Sequence, residues 1–128
     1  MSIRDDAGKG LPLRDIRIID CHNHIALWKA FHIPDPSAEG MLSGMNRLGI
    51  DKVCVTAHSS IGPDYRYGND QVKDAVTRYP DRFLGYVTVN PNYPEDMAEE
   101  IRRCLSVEGF IGIKMHPDCH GSAVDNDN

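Results

Sequence analysis

Short apolar strands and amphipathic helices alternate along this chain, at an interval of roughly 30 residues. The candidate strands are rich in β-branched residues, and segments whose apolar residues recur at helical spacing separate them. The strands are predicted at 16–20, 52–57, 83–89 and 110–115. This alternation predicts parallel strands joined by right-handed crossovers. The chain is therefore expected to be an α/β protein.

The predicted helices have recognisable ends. Ser37 can cap the first helix, and Gly49 can end it. Asn69 is expected to cap the second helix, which Pro80 ends. Pro94 suits the first position of the third helix, where its missing N–H is not needed. These signals predict three helices between four strands.

The number of βα units determines which α/β architecture is expected. An open flavodoxin-like sheet is an alternative, although no Gly-rich phosphate loop follows the first strand. A (β/α)₈ barrel needs about 250 residues, whereas this chain has 128. We therefore predict a TIM-barrel type of fold, truncated to about four βα units. Residues 1–15 are then an N-terminal extension, 16–118 the half-barrel and 119–128 a polar tail, of which residues 123–128 are expected to fray.

Composition argues against several classes of partner. The formal net charge is -5 and Lys and Arg do not cluster, which disfavours nucleic acid and anionic membranes. No apolar run is long enough to span a bilayer and no signal peptide is recognisable, so the cytoplasm is the expected location. The 4 cysteines form no CxxC pair, and reduced thiols are expected.

The first strand ends in Asp20, His22 and His24, spaced two residues apart. Residues two apart on a strand point the same way, so these side chains are expected on one side. Two neutral imidazoles there can bind one divalent metal; the alternative is a pair of solvated histidines. We take His22 and His24 as candidate metal ligands. Cys21 is expected on the opposite face, in the core.

Polar residues also follow other strands at the same end of the sheet. His58 follows the second strand, and Lys114 and His116 end the fourth. Barrel enzymes gather their chemistry at the carboxyl ends of strands, so His58 is a candidate substrate contact; the alternative is a surface histidine. His116 suits substrate contact or acid–base chemistry better than metal binding, unless it is a rim histidine without a role.

Lys114 raises a separate question because a lysine that points into a barrel must pair, lose its charge or be modified. One solution is a carbamate formed with carbon dioxide, which can bridge two metals. A second is a lysine held by the Asp20 carboxylate or orienting an acidic substrate. A third is a lysine that snorkels at the rim. The sequence leaves these three alternatives open.

Three segments together resemble one enzyme family in their order and spacing. The first, 18–24, carries the His-x-His pair; the second, 78–91, opens with RYPDRFLG; the third, 109–117, reads GFIGIKMHP. They resemble the amidohydrolase superfamily, in its amidohydrolase-related, decarboxylase-like branch. The resemblance covers about residues 16 to 118, and it specifies the family better than the substrate.

The resemblance implies a metal-dependent barrel enzyme that hydrolyses C–N or C–O bonds with metal-activated water. It implies that His22 and His24 bind the metal, with zinc expected and manganese as the alternative. Lys114 lies on the strand where two-metal members carry a carbamylated lysine, and His116 would handle substrate or protons. The family takes further ligands from later strands, so we expect a fragment that is not active alone.

Three functional interpretations therefore stay open. The first is a metal-dependent hydrolase acting on a small molecule, completed by a homo-oligomeric partner or by a missing C-terminal half. The second is a non-oxidative decarboxylase of the same family, for which Trp28 would stack on an aromatic or unsaturated acid. An aryl ester or lactone would suit Trp28 equally well. The third is a non-catalytic binding or assembly module.

Overall fold

The computed structural model describes residues 3–125 and contains one parallel sheet in the order β1-β2-β3-β4. The elements in chain order are α1 (Ile3–Gly8), β1 (Ile19–Ile25), α2 (Ala38–Leu48), β2 (Lys52–Ala57), α3 (His58–Ile61), α4 (Tyr65–Arg78), β3 (Phe83–Thr88), α5 (Pro94–Leu105), β4 (Phe110–Lys114) and α6 (Pro117–His120). Four sequential parallel strands with helices between them form half of a (β/α)₈ barrel. The predicted fold class is confirmed.

The hydrophobic core lies between the sheet and its helices. Val55 on β2 and Val87 on β3 are fully buried there with Val72 of α4. Each such side chain contributes roughly 1.5–3 kcal/mol when it leaves water. Gly85 lets α4 approach closely, because a Cβ at this position would lie 2.7 Å from Val72 Cγ1. The helix-covered face of the sheet therefore supplies most of the packing.

The ends of α2 and the start of α5 match the sequence signals, whereas the start of α4 differs from them. Ser37 caps α2 by accepting a hydrogen bond from the Gly40 N–H, and Gly49 ends it with a positive φ of 78°. Pro94 begins α5 as predicted. The second predicted helix is longer than expected, because Asp64 caps α4. The prediction of Asn69 as a cap is therefore wrong, and Asn69 lies buried inside α4.

The first strand starts later than predicted and contains both candidate histidines. Its register with β2 shifts between Asp20 and Asn23, so it carries a bulge at that point. The bulge breaks the simple alternation of side chains. Cys21 is exposed and lines the same cavity as His22. The expectation that Cys21 lies in the core on the opposite face is therefore wrong.

The segment after β4 is more ordered than the sequence suggested. Residues Pro117–His120 form the short α6, and His120 and Ser122 are buried. This stretch precedes residues 123–128, for which fraying is predicted; of those, residues 126–128 lie outside the described residues. Between residues 3 and 125, no helix has the length and apolar character needed to cross a membrane.

The other face of the sheet is far less covered. The outer strands β1 and β4 each pair with one neighbour within residues 3–125. Apolar side chains on these strands stay about half exposed, namely Ile19 at 46%, Ile111 at 51% and Ile113 at 49%. A strand without a second neighbour presents unpaired N–H and C=O groups. These two strands are where a barrel would continue.

Candidate active site

His22 and His24 converge on one point at the carboxyl end of β1. Their Nε2 atoms lie 3.3 Å apart, with the rings edge to face. Two nitrogens that each lie about 2.0–2.1 Å from a tetrahedral metal are about 3.3–3.4 Å apart. The spacing of the two atoms therefore fits two ligands of one divalent ion.

His24 is held in a state that suits metal binding. Burial, followed by the nearby basic groups with His58 first among them, lowers its pKa to about 4. The imidazole is thus neutral at pH 7. Thr56 Oγ1 lies 2.8 Å from Nδ1, and when this hydroxyl accepts the Nδ1 proton, Nε2 keeps the lone pair that a metal needs.

Lys114 completes a cluster of three nitrogen groups. Its Nζ atom lies 3.4 Å from His22 Nε2. Asp20 does not hold the lysine in this arrangement; its Oδ1 accepts the backbone N–H of His22 instead. Lys114 therefore faces the candidate metal position, and its carbamylation or contact with an acidic substrate stays a prediction.

His58 forms part of an aromatic wall beside the two candidate ligands. It is buried, and its Nδ1–H donates to the Ala26 carbonyl at 3.0 Å. Its ring stacks on His24 at 4.6 Å, and the Trp28 ring lies 5.1 Å away. Phe31 approaches His58 edge-on at 6.0 Å. The structure thus brings together His58 and Trp28, the two residues predicted to contact substrate, and excludes a plain surface histidine.

His116 caps the start of α6 at the same end of the sheet. Its Nδ1 accepts the Cys119 N–H at 3.2 Å, which leaves the proton of the neutral ring on Nε2. Its own N–H faces Nδ1 of the buried His120 at 3.4 Å. His116 is also among the groups that lower the pKa of His24. All six candidate residues therefore lie at one end of the sheet.

A cavity of about 320 Å³ opens on the inner face of the sheet beneath these residues. Its lining includes His22, Cys54, Thr56, Tyr86 and Lys114. Burial raises the pKa of the Cys54 thiol and of the Tyr86 hydroxyl, so both stay protonated at neutral pH. The cavity therefore places uncharged groups next to the basic cluster.

The donor set for a metal is incomplete in this part of the protein. Within residues 3–125, no group of three or more His, Cys, Asp or Glu side chains can hold a metal ion. Catalytic metal sites normally use at least three protein ligands. His22 and His24 therefore fit as two ligands of a site that further residues must complete.

Thr56 is a site residue that the sequence reasoning missed. It lies two positions before His58, and strand alternation gave the only signal that it might face the same way. Its contact with His24 depends on the register in which His24 pairs with Thr56. That register joins residues far apart in sequence, and local patterns do not specify it.

Comparison with known proteins identifies the family of this chain. The sequence model described as Amidohydrolase matches residues 19–128. The chain belongs to the amidohydrolase family. Within this family it resembles the gamma-resorcylate decarboxylase of Rhodococcus jostii (strain RHA1), with 33% identity over 60 residues, or 47% of this chain and 18% of that protein.

Two further relatives have related names. The 2-amino-3-carboxymuconate-6-semialdehyde decarboxylase of Dictyostelium discoideum is 30% identical over 61 residues, which cover 48% of this chain and 17% of that protein. The 5-carboxyvanillate decarboxylase of Novosphingobium aromaticivorans has the same fold, with a TM-score of 0.68 and 24% identity. That structure contains manganese and 4-hydroxy-3-methoxy-5-nitrobenzoic acid. This amidohydrolase chain aligns over 94% of its own length and 46% of that chain.

Proposed function

We propose that this chain is the amino-terminal half of a metal-dependent decarboxylase that removes carboxylate from aromatic acids without an oxidant. The observation that carries the proposal is the convergence of His22 Nε2, His24 Nε2 and Lys114 Nζ beside an aromatic wall. The named relatives, all decarboxylases, favour this function over the hydrolysis expected from the sequence. Hydrolysis is the competing outcome of the test below.

His22 and His24 would hold the metal. Manganese is our first candidate because the solved relative contains it, and zinc is the alternative. A bound divalent metal would supply positive charge to the carboxylate and to a ring hydroxyl of the substrate. We propose that Lys114, close to His22, adds a second positive charge for the same acidic substrate.

The remaining residues would orient the ring and move a proton. Trp28 and His58 offer flat faces for an aromatic ring. In the reaction the bond from ring carbon to carboxyl carbon breaks, its electron pair returns to the ring carbon, and that carbon takes a proton as carbon dioxide leaves. We propose His116 as the residue that handles this proton, since its Nε2 carries a hydrogen in the neutral ring.

A second polypeptide surface must complete the site. The incomplete donor set and the two outer strands favour either another copy of this chain or the remaining half of the barrel as the partner. We therefore expect little turnover from an isolated monomer. A small-molecule substrate and a cytoplasmic location remain predictions from the sequence.

Trp28 provides a direct test because it is the only tryptophan in the chain. The purified chain is loaded with manganese, sized by light scattering and titrated with 2,6-dihydroxybenzoate while Trp28 fluorescence is recorded. Resorcinol, which lacks the carboxylate, is the matched control ligand. We expect saturable quenching by the acid only when metal is present, and no saturation with resorcinol.

Product analysis on the same fractions separates the two reactions. Carboxyl-labelled acid is assayed for labelled carbon dioxide, and an aryl ester and an aryl amide for alcohol and amine. Labelled carbon dioxide from a fraction with a complete site supports decarboxylation. Alcohol or amine without carbon dioxide would replace our proposal with hydrolysis, and a chain that binds neither metal nor acid would favour the non-catalytic module.

A further inference from the structure

Asn69, buried inside α4, extends the sheet with its side chain. Its Nδ2 donates to the Thr88 carbonyl at 2.9 Å, and its Oδ1 accepts the Thr88 N–H at 2.9 Å. The pairing of β2 with β3 ends at Val55 and Gly85, before Thr88 is reached. The amide group therefore acts as the missing strand neighbour at the carboxyl end of β3.

Glu100 of α5 determines which way this amide faces. The Glu100 side chain is fully buried, and its Oε1 accepts a second hydrogen bond from Asn69 Nδ2 at 2.8 Å. A flipped amide would place Oδ1 against both the carboxylate and the Thr88 carbonyl. The orientation seen here is thus the one that satisfies all three groups.

Glu100 is ionised although it lies in the interior. Burial acts to raise its pKa, but hydrogen bonds from Arg103 and Asn69 outweigh burial and hold the pKa below its ordinary value. Arg103 binds both carboxylate oxygens at 2.8 Å and reaches outward to Asp70 at 2.6 Å. Burial, followed by the Glu100 charge, raises the pKa of the Cys104 thiol to about 12. This thiol therefore stays protonated 3.4 Å from Glu100.

A gain in folding stability is a weak explanation for the presence of this buried, charged network. Replacing a buried ion pair with apolar residues is often neutral or stabilising, whereas a network with every group satisfied can specify one geometry. The geometry specified here is that of Thr88, the residue whose register partner on β4 is Lys114. The next residue, Val89, donates its N–H to the Lys114 carbonyl at 3.2 Å.

We propose that Asn69 and Glu100 are positioning residues for Lys114. The network of Asn69, Glu100 and Arg103 fixes the end of β3, the end of β3 fixes the last residue of β4, and the Lys114 ammonium is thereby kept next to His22. The catalytic meaning of this placement rests on the proposed function, but the placement itself can be measured without it.

The test compares two opposite substitutions at adjacent residues of α4. Asn69→Asp keeps the shape but removes both donated hydrogen bonds, whereas the control Asp70→Asn alters only the exposed ion pair with Arg103. Amide hydrogen exchange and imidazole NMR signals are recorded on the full metal-free chain. For Asn69→Asp we expect exchange at Thr88 and Val89 to accelerate about tenfold or more and the His22 signals to shift.

The amides of β2 distinguish positioning from general destabilisation. Val53 and Val55 should exchange as in the unchanged chain if the effect is local. Equal acceleration at β2 and β3, or unchanged His22 signals in a folded Asn69→Asp chain, would overturn the proposal. If Asn69→Asp does not fold, Glu100→Gln takes its place in the comparison with Asp70→Asn. The Gln side chain cannot accept both hydrogen bonds from Arg103 as a carboxylate does.

Titration of the unchanged chain with manganese and with zinc separates this proposal from the function proposed above. If the unchanged chain binds neither manganese nor zinc, the proposed function fails, and the exchange pattern still decides the positioning role. If manganese binds but the Asn69→Asp exchange pattern is uniform, the positioning role fails while the proposed function stands.

Discussion

Two polar clusters lie on opposite faces of the sheet near the carboxyl end of β3, and they differ in how their groups are satisfied. On the helix side, Glu100 Oε1 accepts hydrogen bonds from Asn69 and Arg103, and Oε2 accepts one from Arg103. On the inner side, His22 Nε2 lies 3.3 Å from His24 Nε2 and 3.4 Å from Lys114 Nζ, so three basic groups lie side by side. The first cluster therefore holds its groups in one geometry, whereas the second leaves basic groups that can face a ligand.

The largest effect is expected on the inner cluster. Replacing both His22 and His24 with alanine removes both converging nitrogens, so the chain should lose all bound metal. The measurement is elemental analysis of the purified protein after incubation with manganese or zinc. His32→Ala, an exposed change in the first loop, is the control and should keep the metal. Unchanged metal stoichiometry in the double variant would refute the ligand assignment.

Removal of one partner from the buried ion pair of the helix-side cluster should lower the stability of the fold. Arg103→Met leaves the buried Glu100 carboxylate without its bidentate partner, which should cost about 3 kcal/mol of unfolding free energy. Urea unfolding followed by circular dichroism measures this change. Arg78→Met removes ion pairs on the surface and should change the urea midpoint much less. Similar midpoints for the two variants would contradict the contrast between buried and exposed pairs.

Thr56→Val tests how strongly the inner cluster depends on its supporting contact. The variant keeps the volume of the side chain but removes the partner of His24 Nδ1. Loss of such a contact should weaken metal affinity about tenfold. Calorimetric titration with manganese gives the dissociation constant, and Thr77→Val on the exposed side of α4 is the control. An unchanged constant would mean that Thr56 does not orient His24.

The smallest expected effect is on the pH dependence of stability. The folded pKa of Glu100 lies below its ordinary value of 4.5, so Glu100 contributes stability above pH 4.5 that is lost as the pH falls through the folded pKa. Arg103 and Arg66 provide the facing positive charges, and Cys104 stays neutral. Glu100→Gln should therefore flatten the fall of unfolding free energy below pH 4.5. Parallel curves for the two proteins would argue against an ionised Glu100.

The architecture could be predicted from the sequence because local signals encode it. Apolar strands, the Ser37 cap and the Gly49 stop specify the units and their order. The candidate histidines were also visible, since the His-x-His spacing is local. The bulge in β1 could not be predicted, because it depends on how that strand pairs with β2. Cys21 was consequently assigned to the wrong face.

Long-range partners account for the other failures. Asn69 was assigned as a cap because Asn is a good capping residue, yet its partners Thr88 and Glu100 are distant in sequence. The buried state of His120 likewise depends on packing that no local pattern reveals. Local sequence patterns thus pointed to the histidines that the structure brings together, but not to the distant residues that hold them in place.

The sequential order of the strands has a consequence for how this fold forms. β1 pairs with β2, β2 with β3 and β3 with β4, so each pairing closes only one βα loop. Contacts of modest sequence separation form faster than those that join distant segments. Each strand can therefore join the sheet as it leaves the ribosome, and the His22–His24 pair is assembled when the first unit docks. Lys114 lies on the last of the four described strands, so a kinetic probe of the Lys114–His22 contact would report when β4 docks.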